Sequence, residues 1–383
     1  MTHVDPASIA RCSRSAYLGA GGPQATKTPA ENHMPKTPAY AAPAAGKPLA
    51  PFSFEQREVG PHDVLIDILY CGVCHSDIHQ ARDEWGGAIF PMVPGHEIVG
   101  RVKQVGQHVT KLKVGDMAGV GCMVDSCRDC QTCRRDLEQF CAKGMAGTYN
   151  STYMDRKTPT YGGYASRIVV TEHFALKVPE GLDPAAAAPL LCAGITTYSP
   201  LRQWNCKKGD RVGVVGLGGL GHMAVKLAAS MGAEVTVLST SRTKEADARR
   251  LGAQGFEVTK DADTFKKLSG RFDLIIDTIS APHDYNQYLG MLRPQGTLVV
   301  VGVPPEAVPV HAFSLIGGNK RLAGSMIGGI AETQEMLDYC AKHNIVSDIE
   351  IIPIQKINEA YERMMKGDVR YRFVIDIASL ERA

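Results

Sequence analysis

The sequence predicts an α/β protein of 383 residues with two domains, one rich in β-strands and one built on a doubly wound parallel sheet. The second fold is indicated by an apolar strand from Arg211 that runs into the turn Gly216-x-Gly218-x-x-Gly221 and then into an apolar helix pattern. Further apolar strands alternate with helical stretches, at 234–238, 272–276 and 297–301. Glycines in this context let the chain turn tightly beside a pyrophosphate, so we expect dinucleotide binding.

The composition of the chain excludes several classes of function. Charge is nearly balanced, with 42 basic and 40 acidic residues, so neither nucleic acid nor an anionic membrane is an expected partner. We find no membrane-length apolar run and no signal-peptide core at the N-terminus, and we therefore expect a cytoplasmic protein. In that setting the 11 cysteines indicate reduced thiols and metal ligands, not disulfides. Five of them are interpreted as small core residues: Cys12, Cys71, Cys122, Cys206 and Cys340.

In chain order, a segment of unusual composition comes before the β-rich part. Residues 1–50 are rich in Ala, Pro, Thr, Gly and Ser and have few large apolar side chains, so we expect them to be mostly disordered. The segments 64–68 and 98–105 are β-branched and partly alternating, which predicts strands. Gly60-Pro61 and Gly115-Asp116 are typical turn signals around such strands. These short strands and close turns predict a compact β-rich domain.

A candidate metal centre is spread over three segments. The stretch 70–79 carries a thiol, a hydroxyl, a carboxylate and an imidazole, on Cys74, Ser76, Asp77 and His79. Gly95-His96-Glu97 comes next, and Cys192 follows an alanine-rich helix whose start is signalled by Asp183-Pro184. Two thiolates and an imidazole suit a catalytic zinc with an open fourth position. A cysteine after such a helix is by itself more often a core residue, so the residues alone leave the role of Cys192 open.

A second cysteine cluster has the pattern Cys-x2-Cys-x2-Cys-x7-Cys, at Cys127, Cys130, Cys133 and Cys141. Four thiolates at this spacing can enclose a structural zinc ion. An iron–sulfur cluster is the main alternative, but its pattern closes with a three-residue gap and a proline, whereas here Ala142 follows the last cysteine. Redox sensing is a further alternative. We favour structural zinc, with the charge of the thiolates offset by Arg128, Arg134 and Arg135.

The end of the second strand of the parallel sheet indicates which dinucleotide binds. The sequence there is Leu238-Ser-Thr-Ser-Arg-Thr-Lys244. A sheet that prefers NAD places Asp or Glu near this point to bind the ribose hydroxyls. Hydroxyls and cations stand here in place of an acid, which suits the 2′-phosphate of NADP. The alternative is a solvated loop without a ligand.

In identity and order these motifs resemble those of the zinc-dependent medium-chain alcohol dehydrogenases. The similarity is greatest to the cinnamyl-alcohol-dehydrogenase branch and its bacterial aldehyde-reductase relatives, as in Leu190-Leu-Cys-Ala-Gly-Ile-Thr-Thr-Tyr-Ser-Pro-Leu and Ala323-Gly-Ser-Met-Ile-Gly-Gly. The match extends from about residue 50 to the C-terminus, and Met34 begins a stretch similar to the usual start of the family.

The resemblance implies a fold and a set of partners. It implies a GroES-like, barrel-like catalytic domain over 51–191 and 331–383 and a Rossmann domain over 192–330, with the active site in the cleft between them. It also implies two zinc ions per chain, NADP(H), a small aldehyde or alcohol as substrate, and a homodimer. The side chains of Trp85 and Met123 are candidates for the pocket.

The resemblance implies roles for the residues of the active site. Cys74, His96 and Cys192 would hold the catalytic zinc, with Glu97 as a transient ligand or an orienting group. Ser76 and His79 would relay the proton between substrate and solvent by way of the cofactor ribose. The 2′-phosphate is assigned to Ser239, Thr240, Ser241 and Lys244, with Arg242 as a further cation. The other expected cofactor contacts are His75, Thr196, Gly216, Leu217, Gly218, Gly219, Leu220, Gly221, Val301, Gly302, Val303, Ser325, Met326 and Ile327.

Two other classes of function share this architecture. Zinc-free quinone or enone reductases keep the glycine turn but lack the set of Cys74, His96 and Cys192, which is present here. A catalytically silent binding protein on a dehydrogenase scaffold is the second class, and the sequence does not separate it from an enzyme. We predict a zinc-dependent, NADP-linked alcohol dehydrogenase of broad specificity that acts as an aldehyde reductase.

Overall fold

One half of the protein is built from short β-strands. The structure is a computed structural model that describes residues 36–382. In chain order its first strands are β1 (Thr37–Ala41), β2 (Ala50–Phe54), β3 (Asp63–Gly72), β4 (Ile98–Val105), β5 (Met117–Val120), β6 (Met123–Asp125), β7 (Ala146–Gly147), β8 (Arg167–Thr171) and β9 (Leu176–Lys177). Both β4 and β8 pair antiparallel with β3, which makes β3 the central strand of this half. The strands predicted at 64–68 and 98–105 are confirmed as parts of β3 and β4.

The other half is a parallel sheet of six strands. They are β10 (Arg211–Val215), β11 (Glu234–Ser239), β12 (Gly255–Val258), β13 (Phe272–Asp277), β14 (Leu292–Val300) and β15 (Arg321–Gly324). They lie in the order β12-β11-β10-β13-β14-β15. The predicted parallel, doubly wound sheet is thereby confirmed, and ligands of such sheets bind beyond the carboxyl ends of the strands, where the order reverses. Here that point lies between β10 and β13.

The C-terminal part of the chain returns to the first sheet. It contributes β16 (Ile349–Pro353) and β17 (Arg372–Asp376). β17 pairs antiparallel with the end of β3, and β16 pairs with β17, so the sheet has the order β16-β17-β3-β4-β5-β9 with β8 beside β3. This return places the side chains of β17 next to the segment that follows β3, where Cys74 lies.

Helices cover the sheets and connect them. They are α1 (His75–Ala81), α2 (Pro184–Ala187), α3 (Ala193–Gln203), α4 (Gly219–Ser230), α5 (Glu245–Arg250), α6 (Thr264–Lys267), α7 (Tyr285–Met291), α8 (Ala312–Ile316), α9 (Ile330–His343) and α10 (Ile357–Met365). The helix start predicted at Asp183-Pro184 is confirmed, because the Asp183 carboxylate accepts a hydrogen bond from the Ala186 amide. Among the described helices, none is both long enough and apolar enough to cross a lipid bilayer.

The N-terminal prediction needs a correction. Residues 1–35 lie outside the described part of the chain, but the predicted disorder up to residue 50 is wrong for Thr37–Ala41, which forms β1 and pairs with β2. The Tyr40 amide also donates a hydrogen bond to the carbonyl oxygen of Tyr164. Composition did not indicate this strand because the small side chains Ala39 and Ala41 are buried in the hairpin without needing a large apolar surface.

Candidate active site

Four potential metal ligands converge where the two sheets meet. Cys74 follows β3, His96 and Glu97 directly precede β4, and Cys192 directly precedes α3. All four side chains are buried, and one ligand atom from each lies within 4.8 Å of the others. The sulfur atoms of Cys74 and Cys192 are 3.9 Å apart. Three segments that are distant in sequence therefore meet as one group.

The Asp77 carboxylate holds the residues around this ligand group in place. Its carboxylate accepts hydrogen bonds from the amides of Cys74 (2.8 Å) and Gly95 (3.1 Å) and from the Tyr164 hydroxyl (3.2 Å). The same carboxylate lies 3.2 Å from Nδ1 of His96. A carboxylate at Nδ1 favours the tautomer with its hydrogen there, which leaves Nε2 free to bind a metal.

Arg372 and Glu97 form a buried ion pair that the sequence did not predict. The guanidinium of Arg372, on β17, lies 2.7 Å from Glu97 Oε1, and both side chains are almost fully buried. Burial raises the pKa of Glu97 to about 8, although the Arg372 charge opposes this shift. Glu97 Oε2 has no hydrogen-bond partner among the described residues, so it stays available to a cation. The pair forms only because β17 packs against β3, a tertiary contact that no local sequence pattern shows.

The chemistry of this ligand set fits zinc. Zinc is bound by thiolates, imidazole and carboxylate oxygen, and a thiol must lose its proton to become a ligand. The hydrogen bond with Cys192 lowers the pKa of Cys74 well below its usual value, and the Arg372 guanidinium acts in the same direction, although burial opposes both. The carboxylate of Glu97 adds a fourth potential ligand.

The four cysteines at 127–141 form a second, more exposed group. Their sulfurs lie within 4.8 Å of one another, and the Cys127 and Cys133 sulfurs are 3.9 Å apart. Sulfurs around one tetrahedral zinc ion would be roughly 3.8 Å apart, given a zinc–sulfur distance of about 2.3 Å. Backbone amides donate to these sulfurs, as from Ala142 to Cys130 at 3.4 Å. The hydrogen bond between Cys130 and the Thr132 hydroxyl is the largest of the effects that lower the pKa of Cys130 to about 5. This arrangement suits thiolates in a closed zinc site.

One cavity, of about 750 Å³, opens above the first metal-ligand group. Cys74, His96 and Cys192 are on its wall together with ends of the parallel sheet at 300–303 and 324–327. The rest of the wall combines five large apolar or aromatic side chains with several polar ones: Trp85, Phe140, Met145, Tyr149 and Leu220 beside Ser76, Gln80, Thr148, Asn150, Ser151 and Thr196. Of the two pocket candidates, Trp85 lies on this wall, whereas Met123 is buried and does not line it. Cys122, interpreted as a core residue, also faces the cavity, so that interpretation was wrong.

The glycine turn has the shape that a pyrophosphate needs. Gly216 has φ +87°, and a Cβ there would approach Ile279 to 2.5 Å. A Cβ at Gly221 would overlap the carbonyl oxygen of Gly216, so this glycine is needed where α4 packs against the turn. Gly218 precedes α4 and has open space where a Cβ would stand. The N-terminus of α4 therefore faces an open cradle, and a dinucleotide fits it.

Comparison with known proteins decides the family. The alcohol dehydrogenase GroES-like domain family matches residues 60–180, and the zinc-binding dehydrogenase family matches residues 219–342. An NADP-dependent alcohol dehydrogenase C of Mycolicibacterium smegmatis is 57% identical over 348 residues, which are 91% of this chain and 99% of that protein. The chain belongs to the zinc-binding alcohol dehydrogenase family. The predicted family and the α/β fold class, a GroES-like domain with a parallel-sheet domain, are confirmed.

Solved structures agree with this assignment. A cinnamyl alcohol dehydrogenase from Sorghum bicolor superimposes with a TM-score of 0.88 at 46% identity, covering 90% of this chain and 98% of that one. A cinnamyl alcohol dehydrogenase from Helicobacter pylori, complexed with NADP(H), gives a TM-score of 0.84 at 45% identity with the same coverage of both chains.

Of the two cations predicted to bind the 2′-phosphate in this alcohol dehydrogenase, only one lies close to the glycine turn. Ser239 is buried at the end of β11, with its hydroxyl 3.3 Å from the Ser241 carbonyl oxygen. Lys244 Nζ donates to the carbonyl oxygen of Leu217 at 2.9 Å, which ties it to the glycine turn. Arg242 has a 70% exposed side chain that pairs with Asp261 and Glu245. Lys244 is therefore the cation nearest the glycine turn, and Arg242 faces solvent. Thr240, which lies between Ser239 and Ser241 in the chain, is exposed.

The two residues predicted to relay a proton, Ser76 and His79, do not both line the cavity. Ser76 lines the cavity, with its hydroxyl 3.6 Å from the Cys74 sulfur. His79 lies one turn further along α1 and is not on the cavity wall; its Nδ1 is 2.5 Å from Glu84 Oε2, and its ring stacks on Trp85. His75 is exposed, with its ring 6.4 Å from that of His79. Glu84 was not predicted, because nothing in the spacing shows a carboxylate turning back to α1.

Proposed function

We propose that this alcohol dehydrogenase uses zinc and NADP(H) to interconvert alcohols and aldehydes, and that it acts as a reductase of apolar aldehydes. The proposal rests on one observation: the zinc-ligand set and the ends of β14 and β15 line the same cavity. A substrate carbonyl and a nicotinamide ring would meet there. The predominantly apolar wall favours aldehydes with extended apolar or aromatic groups. Similarity to NADP-dependent alcohol dehydrogenases and to an NADP(H)-bound cinnamyl alcohol dehydrogenase supports the choice of cofactor.

The zinc-ligand residues and their neighbours have distinct roles in the reaction. Cys74, His96 and Cys192 would hold a zinc ion, which when bound acts as a Lewis acid on the substrate oxygen. NADPH, when bound, would supply the hydride for reduction. Asp77 orients the His96 ring, and Arg372 holds Oε1 of Glu97. The positive charge of Arg372 also lies beside Gly219 at the start of α4, where it would support the pyrophosphate.

Asp77→Asn should weaken zinc binding at the active site. An asparagine side chain has a single acceptor oxygen. Its N–H group would therefore face one of the backbone amides, of Cys74 or Gly95, that donate to the carboxylate in wild type. Changes of this kind typically cost about 10–100-fold in metal affinity. Competition with a chromogenic chelator measures the effect, with Asp155→Asn as control because Asp155 accepts similar amide bonds in an exposed loop. Equal zinc affinity in both variants would contradict this role of Asp77.

We propose that Ser76 and His79 relay the proton between substrate and solvent, with Glu84 holding the imidazole; the ribose of a bound cofactor would connect the two residues. Support comes from Ser76 at the cavity wall and from the His79–Glu84 contact near solvent. His79→Gln is expected to change the pH dependence of kcat, because the group that exchanges protons with solvent is removed. His62→Gln, on the exposed stacked pair His62–His108, is the control. An unaltered pH–rate profile in His79→Gln would overturn the relay.

Two rival functions are tested by one assay. Oxidation of NADPH is followed over a panel of aromatic and aliphatic aldehydes, quinones and enones, with NADH in parallel. Turnover of aldehydes with NADPH supports the proposal, turnover of quinones or enones alone supports a zinc-free type of reductase, and no turnover supports a silent binding protein. The presence of Cys74, His96 and Cys192 in one buried group argues against the zinc-free type.

The assembly, location and domain division are also proposed. One of the two edge strands of the parallel sheet is β15, and α8, which precedes it in the chain, exposes Phe313 by 73% and Ile316 by 65%, which supports a homodimer through this edge. The free thiols support a reducing compartment such as the cytoplasm. The domain boundaries are proposed as predicted, 51–191 with 331–383 and 192–330, except that the β1–β2 hairpin extends the first domain back to about residue 36.

A further inference from the structure

We propose that the cysteine-tetrad lobe, residues 127–145, positions one wall of the substrate cavity, and that Glu138 is the positioning residue through which it acts. The inference rests on the proposed function, since it concerns the cavity assigned to the substrate. A closed metal site is ordinarily understood as a contribution to folding alone. The contacts of Glu138 connect this one to the cavity.

Glu138 fixes the first residue of α9. It lies between Cys133 and Cys141 in the chain, and its side chain is only 1% exposed. Glu138 Oε2 accepts a hydrogen bond from the Ile330 amide at 3.1 Å, and Oε1 lies 2.8 Å from Nε2 of His173. The amides at the start of a helix have no partner within the helix and carry partial positive charge, so a buried carboxylate there binds strongly. The lobe is therefore attached to the N-terminus of α9 by a charged hydrogen bond.

Backbone packing reinforces this attachment. A Cβ at Gly329 would overlap the carbonyl oxygen of Asp136, so only glycine lets the lobe lie directly against the chain before α9. A Cβ at Gly328 would come within 2.6 Å of the Ile195 side chain on α3. Residues 328–329 are thus enclosed by the lobe on one side and by α3 on the other. They have little freedom to move unless the lobe moves too.

The segment held in this way continues into the cavity wall. Ser325, Met326 and Ile327 come directly before the two glycines and line the cavity. Ile327 has φ +39°, which is unfavourable for a β-branched residue and persists only where the surroundings impose it. The same lobe also contributes Phe140 and Met145 to the wall. Loss of the Glu138 contact should therefore loosen the wall that receives the substrate and the nicotinamide, without touching the zinc ligands.

The test compares kinetic constants in matched variants. Glu138→Ala should raise KM for an apolar aldehyde by about tenfold, because that factor corresponds to the free energy of one strong hydrogen bond. The value of kcat should change by less than about threefold. Glu138→Gln should restore KM to within about threefold of wild type, because its amide oxygen can still accept from Ile330. Glu172→Ala is the control, since Glu172 Oε2 accepts from the amides of Thr110 and Lys111 and, within residues 36–382, makes no hydrogen bond to α9. It should lower Tm and leave KM unchanged.

A second readout does not depend on turnover. Hydrogen exchange of a peptide covering 325–333 should be faster in Glu138→Ala than in wild type or Glu172→Ala, with two zinc ions per chain retained. If Glu138→Ala fails to fold, Glu138→Asp replaces it, and a raised KM is again expected because the shorter carboxylate no longer reaches Ile330. Unchanged KM and unchanged exchange in a folded Glu138 variant would overturn the proposal. Failure of the proposed function would appear differently, as absence of aldehyde turnover in wild type, and the exchange measurement would still test the role of Glu138.

Discussion

Cys74→Ala is expected to abolish turnover and leave the protein folded. Cys74 supplies one sulfur of the proposed active-site zinc set, and a Lewis acid at the substrate oxygen contributes several kcal/mol to catalysis. We therefore expect kcat/KM to fall by at least about a thousandfold. Alanine removes a single sulfur next to a cavity, so Tm should change little. Steady-state kinetics and a thermal melt on the same preparation check both statements.

The matched variant in the other cysteine group should behave in the opposite way. Cys130→Ala removes a ligand from the closed set, in which Cys130 also accepts from the Ala142 amide. A structural zinc contributes its binding free energy to folding, so Tm should fall sharply while the surviving folded enzyme keeps turning over at low temperature. If the two variants lose activity and stability in equal measure, the division of labour between the groups is wrong.

Ser239→Asp is expected to exchange the cofactor preference. Ser239 is buried at the end of β11, and a carboxylate there would repel a 2′-phosphate in a partly desolvated site while accepting hydrogen bonds from a ribose. Charge-assisted hydrogen bonds contribute about 1.5–3 kcal/mol each. Two such bonds correspond to about a hundredfold or more, so KM for NADPH should rise by about that factor and KM for NADH should stay level or fall.

Two further variants test which cation binds the 2′-phosphate of NADPH. Lys244→Ala should weaken NADPH binding, because Lys244 Nζ already lies against the glycine turn at the Leu217 carbonyl. Arg242→Ala should have a small effect, because its exposed guanidinium pairs with Asp261 and Glu245. Wild-type enzyme that uses NADH as efficiently as NADPH would refute the assignment of this strand end.

Features that depend on local spacing could be predicted from the sequence. The cysteine tetrad, the glycine turn and most strands of the parallel sheet each occupy a continuous stretch whose periodicity or spacing fixes the geometry. The grouping of Cys74, His96 and Cys192 was predicted only through family resemblance, since three distant segments meet there. Local composition misled at Thr37–Ala41, where small residues form a strand because a partner strand is available.

Features that depend on tertiary contact could not be predicted. Arg372 reaches Glu97 only because β17 pairs with β3, and Glu138 reaches Ile330 only because the cysteine lobe folds onto α9. Cys122 faces the cavity and Met123 faces the core. Alternation along a strand predicts that neighbouring side chains point to opposite sides, but it does not say which side chain points to the cavity. Register and docking of sheets decide these contacts, and neither is encoded in a short sequence pattern.

The most direct test of the account is the zinc content of enzyme whose NADPH-linked aldehyde reduction is measured on the same sample. Two ligand sets predict two zinc ions per chain in fully active wild type, and one in inactive Cys74→Ala. Stepwise chelation of wild type should remove turnover in proportion to loss of the active-site zinc. Fully active wild-type enzyme with one zinc or fewer per chain would contradict the account.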